Sequence, residues 1–206
     1  MLFRSSLLEQ RVPSRIHPLV VIEGIDRSGK SRHAQGLVDW FIADKQRAFY
    51  RHFPNYESLT GKAIARHLKK EWAAATAGGV LRDSVDELVF QCLMTVNRYE
   101  AAKEMTEQLR QGIVVCDRFS PSSRVYGGIN QLPAAFLDEI QERLPQPDVC
   151  ILIDIPVSEA RRRRSDVLDR YEEMDDMQER ARTEYLRLFR HNGWHVVDGT
   201  ESYEEV

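Results

Sequence analysis

Leu19-Val20-Val21-Ile22-Glu23-Gly24-Ile25-Asp26-Arg27-Ser28-Gly29-Lys30-Ser31 is the stretch on which the reading of this 206-residue chain turns. Its first five residues have the size and apolar character of a strand buried on both faces. The next eight, Gly24 to Ser31, match G-x-x-x-x-G-K-[ST] in full. Behind them Ala34, Leu37, Val38, Phe41 and Ile42 recur at helical spacing. A strand, a glycine loop and a helix in that order form a phosphate cradle. Glycine lets backbone N–H groups turn inward onto phosphate oxygens, and the helix N-terminus adds partial positive charge. In such a loop Lys30 would reach the β- and γ-phosphates, and the Ser31 hydroxyl would ligate Mg²⁺. A glycine turn that binds nothing is the plain alternative, but a chance match of this pattern is of order 1% at ordinary glycine usage.

Working outward, Ala48–Phe53, Ile113–Asp117, Val149–Ile155 and Trp194–Asp198 repeat the strand-sized apolar run. Helical stripes separate them. One holds Val85, Leu88, Val89, Cys92, Val96 and Tyr99, opened by Ser84-x-x-Glu87 as a capping box. Another holds Phe136, Leu137, Ile140 and Leu144, with Pro133 near its first turn, and the last holds Met177, Ala181, Tyr185 and Leu188 and stops at Asn192-Gly193. Five strands alternating with helices predict an α/β doubly wound sheet joined by right-handed crossovers. Ligands of such sheets bind beyond the carboxyl ends of the strands. Asp117-Arg118, at the end of the third run, therefore matters: the carboxylate suits a Mg²⁺ shell and the guanidinium a second phosphate.

Composition narrows the alternatives. Hydrophobic residues make up 42% and charged residues 30%, which excludes a disordered or fibrous chain. The longest clean apolar runs are strand-sized, so no membrane span is expected. The net charge of −3 gives no pull toward nucleic acid or membrane. Cys92, Cys116 and Cys150 cannot all pair, and the latter two sit in apolar runs, as in a reducing cytoplasmic compartment. Residues 1–17 read as an extension ahead of the domain at 18–206. His33, His67, His191 and His195 show no metal-ligand spacing.

The segments GIDRSGKS (24–31), HFPNYESLTGKAI (52–64), LMTVNRYE (93–100), DRFSPSSRVYGG (117–128), LPQPD (144–148) and LDRYEE (168–173) follow one another as in the thymidylate kinases. The resemblance covers roughly residues 18–200. It implies a three-layer fold of the P-loop NTPase type, with a five-stranded parallel sheet, helices on both faces and a short basic lid at about 157–172. On the donor side it implies ATP contacts from Gly24, Asp26, Arg27, Ser28, Gly29, Lys30, Ser31, Arg32 and the lid residue Arg162, with Mg²⁺ on Ser31 and Asp117. On the acceptor side Asp26 maps to the contact with the deoxyribose 3′-hydroxyl, and Phe53-Pro54 to the turn shaping the pocket. Arg98 maps to the thymine-edge contact, Arg118 to the acceptor phosphate, and Ser122 and Tyr126 to the base and sugar. Two positions depart from the family pattern. His52, beside Arg51, stands where a phosphate-binding Arg is frequent, and Met94 stands where a Phe stacks on thymine, with Phe90 one turn earlier. A Met can still cover a ring face. Arg27 places the chain with members whose catalytic arginine lies in the P-loop, which leaves Arg161–Arg164 auxiliary; four successive arginines cannot all face one way on a helix.

The expected activity is Mg²⁺- and ATP-dependent conversion of dTMP to dTDP, with Lys30, Arg27, Asp117 and Arg118 as the catalytic set and a homodimer through the long helix, as in the family. A kinase for another pyrimidine monophosphate differs only in the pocket around Met94, Arg98 and Ser122. A nucleotide-hydrolysing switch protein is a remoter alternative, since no N-K-x-D motif is present.

Overall fold

The computed structural model of the chain describes residues 17–68, 84–163, 172–203 and 205–206. In chain order the elements are β1 (Leu19–Glu23), α1 (Lys30–Ala43), β2 (Ala48–His52), α2 (Leu59–Leu68), α3 (Ser84–Gln111), β3 (Ile113–Asp117), α4 (Ser120–Ile129), α5 (Ala134–Glu139), β4 (Val149–Asp154), α6 (Val157–Arg162), α7 (Glu172–Asn192) and β5 (His195–Asp198). All five strands pair in parallel, in the order β2-β3-β1-β4-β5.

β1 lies at the centre and is buried along its whole length. Its side chains alternate between two cores, as the period of a strand requires. Leu19 and Val21 pack with α3, α4 and α7 through Met105, Leu109, Val125, Tyr185 and Phe189. Val20 and Ile22 pack on the opposite face with Ala34 and Val38 of α1. This is the predicted three-layer sandwich. The chain crosses from one side of β1 to the other after β3, so the crevice beyond the carboxyl ends of β1 and β3 is the switch point where such sheets hold ligands.

Some boundaries differ from the apolar runs. β2 stops at His52 because Pro54 carries no N–H to extend the ladder, and β4 stops at Asp154, just before Pro156 leads into α6. Trp194 does not open β5: its N–H closes the end of α7 on the Phe189 carbonyl (2.9 Å), with Gly193 left-handed at φ 64°. α5 ends at Glu139, short of the expected stripe, and single turns carry the chain on, with Gln141 N–H on Asp138 O and Leu144 N–H on Gln141 O. The stripes also over-reach. α1 buries only Ala34 and Val38 of its expected face, and Ile42 and Met177 lie exposed. Residues 1–16, the Ser84 side chain of the expected capping box and residues 164–171 of the expected lid lie outside the described residues.

Candidate active site

The P-loop leaves the buried end of β1 and enters α1 through Gly29, which is left-handed at φ 98°. No side chain caps α1 and its first turn holds no acid. Its leading N–H groups therefore have no side-chain acceptor, as an anion site requires. Gly24 must be glycine on steric grounds: a Cβ there would meet the Ile153 carbonyl at 2.7 Å. Arg27 is left-handed at φ 66°, a conformation that costs a non-glycine residue about 1 kcal/mol and is held only by its surroundings. Lys30 is buried, donates to Ile25 O at 3.2 Å and lies 3.8 Å from Asp26 Oδ1. Burial, reinforced by the charge of Arg118, pushes its ammonium down to about 8 despite the nearby carboxylates of Asp26, Asp117 and Glu23.

Register brings the next group in. Ile22 pairs with Asp117, and His52 pairs with Asp117 on the other side. The Asp117 carboxylate is fully buried. Its Oδ2 accepts from the Ser31 hydroxyl, from His52 Nδ1 (3.0 Å) and from Tyr50 OH (3.4 Å). Desolvation works to raise this carboxyl, but the hydrogen bonds from His52 and Ser31 and the charge of Lys30 hold it below the usual range. Its second oxygen, Oδ1, is buried without a hydrogen-bond partner. A lone buried carboxylate oxygen beside a serine hydroxyl is a hard-oxygen donor set of the kind Mg²⁺ takes.

Arg118 is likewise left-handed, at φ 64°, and turns back toward the P-loop. It donates to Asp26 Oδ1 at 2.7 Å and to the Tyr185 hydroxyl at 3.0 Å, with a longer contact to Ser122 Oγ at 3.4 Å. The Tyr126 ring lies 5.6 Å from its guanidinium carbon. Desolvation opposes ionisation of Asp26, yet Arg118 and Lys30 outweigh it and keep the carboxyl below its ordinary value. The hub beneath this cluster is Glu23, wholly buried at the end of β1. Its Oε1 accepts the backbone N–H groups of Phe119 (2.9 Å) and Ser122 (3.2 Å) and so caps α4, which has no cap of its own. Its Oε2 accepts from Ser122 Oγ (2.7 Å) and Tyr185 OH (2.8 Å).

Phe53 is buried against Phe119, with ring centroids 5.3 Å apart, and Pro54 follows it. A cavity of about 360 Å³ opens there, lined in part by Tyr50, His52, Phe53 and Tyr56. The loop behind Pro54 is held to α3 by Asn97, whose amide oxygen accepts Asn55 N–H (2.8 Å) while its nitrogen donates to Asn55 O, Ser58 Oγ and Thr60 Oγ1. Arg98, the next residue, is entirely buried. Its Nη1 donates to Ser123 Oγ (2.8 Å) and Gln141 Oε1 (3.1 Å), while Nε and Nη2 have no partner. Burial lowers its guanidinium to about 10. Met94 is buried on the same helix, and Phe90 is stacked on His67 at 4.7 Å, so it is already engaged. Arg51 is tied to Gln108 and Glu104 on α3, away from the P-loop.

Contacts thus bring Asp26, Lys30, Arg118, Ser122 and Tyr126 together, with Ser31 on Asp117 beside them, whereas Arg98 bonds Ser123 and Gln141, and Arg32 and Arg162 turn to other partners. Arg32 lies over the Tyr203 ring at 4.0 Å. Arg162 is exposed and paired with Glu159 at 2.8 Å, and the arginine that reaches the P-loop is its neighbour Arg163. Sequence reasoning missed Glu23, although an acid ending an apolar strand beside a P-loop was a usable signal. It also missed the Tyr185 hydroxyl, Asn97 and Gln178, whose amide bonds Asp26 N–H at 3.0 Å; each sat in a pattern that reads as ordinary helix.

A profile described as Thymidylate kinase matches residues 22–206. The chain is 31% identical over 194 residues to a thymidylate kinase of Schizosaccharomyces pombe, covering 91% of this chain and 87% of that protein. It is 28% identical over 192 residues to the human thymidylate kinase, covering 91% and 85%. A solved thymidylate kinase structure from Candida albicans superposes with a TM-score of 0.70 at 21% identity, covering 92% of this chain and 87% of the other, which supports the fold. With a P-loop, a carboxylate at the end of the neighbouring strand and a profile match over most of its length, the chain belongs to the thymidylate kinase family.

Proposed function

We propose that the chain transfers the terminal phosphoryl group of ATP to the 5′-phosphate of dTMP, giving dTDP. The observation that carries the acceptor assignment is Arg98: a fully buried guanidinium keeps two nitrogens without partners. Leaving charged donors unmatched costs about 1–3 kcal/mol or more, a cost a ligand would remove. Those donors match the 4-oxo group of thymine and face an amino donor in cytosine.

On the donor side, Lys30, the α1 N-terminus and Arg27 would bind and neutralise the phosphates. Ser31 and Asp117 would hold Mg²⁺, which when bound neutralises charge on the β- and γ-oxygens. Arg32 and Arg162 would flank the nucleotide. On the acceptor side Arg118 would bind the 5′-phosphate, Asp26 the 3′-hydroxyl, and Phe53, Pro54, Met94, Ser122 and Tyr126 would line base and sugar. The attacking phosphate oxygen is already ionised, so no strong base is needed. The loose, metaphosphate-like transition state asks mainly for positioning and charge. Arg118 suits both tasks, because its bond to Asp26 ties the acceptor side to the P-loop.

No helix among the described residues is long and apolar enough to cross a membrane. The free thiols of Cys92, Cys116 and Cys150 support a cytoplasmic setting. Val89 and Val96 are 37% and 47% exposed on α3, which supports a homodimer through this helix, testable by light scattering of the eluted protein.

The deciding experiment is a panel of dTMP, dUMP, dCMP and UMP at saturating MgATP. We expect kcat/KM highest for dTMP, lower for dUMP by the loss of one buried methyl worth roughly 1 kcal/mol, and near zero for dCMP. Comparable dCMP and dTMP values would move the chain to the broader pyrimidine kinases, and ATP consumption without an acceptor would make it a hydrolase.

A further inference from the structure

The described part of the basic run holds Arg161, Arg162 and Arg163, and they do different things. The side chains of Arg161 and Arg162 are 64% and 76% exposed, each paired with an acid, whereas Arg163 is 28% exposed and folds back over the P-loop. Its Nη1 donates to the carbonyls of Ser28 (3.2 Å) and Arg27 (3.4 Å). Its Nη2 donates to the carbonyl of Gly199, just beyond β5, at 2.7 Å, and its Nε donates to Glu159 Oε1 at 2.7 Å. One planar fork thereby joins α6, the P-loop and the β5 exit.

A P-loop works only if its N–H groups face the phosphates, and its carbonyls must then face away and find donors elsewhere. The two carbonyls Arg163 engages belong to the successive peptides on either side of Ser28, between the left-handed residues Arg27 and Gly29, where the loop conformation is least favoured locally. From these contacts we infer that Arg163 is a positioning residue for the donor site: it holds the outer carbonyls of the P-loop so that the inner N–H groups are set for ATP phosphates, and Glu159 braces it. The role rests on the P-loop being the ATP site. It differs from a lid arginine that meets the transferring phosphoryl group, since here Nη1 and Nη2 donate to backbone carbonyls and Nε to Glu159.

Charge-assisted hydrogen bonds to main chain are roughly twice as strong as neutral ones, and two P-loop carbonyls are involved. Arg163→Ala should therefore weaken ATP binding about tenfold by titration calorimetry and raise KM for ATP to match. KM for dTMP should stay within twofold, and kcat at saturating ATP should fall less than threefold. Arg163→Lys keeps the charge but not the fork and should recover only part of the affinity. Glu159→Gln should weaken ATP binding in the same direction, and the double variant should lose less than the product of the two single effects. Arg187→Ala, an exposed pair-former on α7, is the control and should change nothing.

Unchanged ATP affinity in Arg163→Ala overturns the inference, as does a loss confined to kcat, which would put this guanidinium on the transition state. Equal rises in both KM values would mean general damage and would also overturn it. Should Arg163→Ala not fold, Arg163→Lys and Glu159→Gln carry the test. Failure of the wild-type protein to bind ATP would instead strike the P-loop assignment itself.

Discussion

Lys30→Met offers a test with two opposed readouts. In the ligand-free protein Lys30 is a buried cation whose ammonium sits at about 8 instead of 10.5, chiefly because of burial. At 1.36 kcal/mol per pH unit, that gap means folding with the charged form costs about 3 kcal/mol near pH 7. Methionine fills similar space without charge. It forfeits the hydrogen bond to Ile25 O, worth about 1 kcal/mol, which leaves a net gain of about 2 kcal/mol. For a domain of this size that is a rise in Tm of roughly 4–8 °C by calorimetry. The sign against pH follows from linkage. Between about 8 and 10.5 the unfolded chain holds a proton on Lys30 that the folded chain has released, so the stability of the wild type climbs through that window. The Tm difference should thus be full below pH 8, vanish within that window and reverse slightly by pH 10.5, where only the lost hydrogen bond to Ile25 O remains. Turnover should meanwhile drop at least about 100-fold, because the cation that meets the phosphates is lost. An unchanged or lowered Tm at pH 7, or a gap insensitive to pH, would refute the account of a desolvated ammonium held ready for a polyanion. Near-normal turnover would refute the P-loop assignment.

Three further outcomes are expected. Arg27→Gly should lower kcat by three or more orders of magnitude, as loss of an arginine on the transferring phosphoryl group does, while stability holds or rises because glycine accepts φ 66° freely; a larger loss from Arg161→Ala or Arg162→Ala would reverse the assignment. Tyr126→Ala should narrow the preference for deoxyribo- over ribonucleotide acceptors, read as the ratio of kcat/KM for dUMP and UMP, since the ring stands beside Arg118 where the sugar would lie; an unchanged ratio would place the sugar elsewhere. Glu23→Gln should destabilise by about 2 kcal/mol in urea unfolding, because one acceptor oxygen becomes a donor facing hydroxyls or N–H groups that already donate, and a neutral result would show that Glu23 is not the hub.

Local sequence alone determined the strands, the P-loop and the class of fold. Leu19–Glu23 is strand-sized and apolar at every position but the last, and Gly24 and Gly29 stand where left-handed or crowded backbone admits no side chain. These are properties of neighbouring residues, governed by steric limits and short-range periodicity, and they survive in a one-dimensional reading. The pairing of Asp117 with Ser31 was approachable for the same reason, since each ends or follows a recognisable element. What only the tertiary structure decided is which residues meet across long separations. Glu23 reaches Ser122 and Tyr185 because β3 lies beside β1 and α7 crosses the same face, although 99 and 162 residues separate the partners. Tyr185 reads as one more apolar position in a helical stripe, and no periodicity tells a hydroxyl with an acceptor from one without. In the basic run the local pattern is nearly uniform, so only the point where α6 ends sets which guanidinium turns toward the P-loop, and it is Arg163 and not Arg162. The direction of a side chain depends on the crossover that delivers its helix, and crossovers are paid for by burial of the whole core, which no short window of sequence contains.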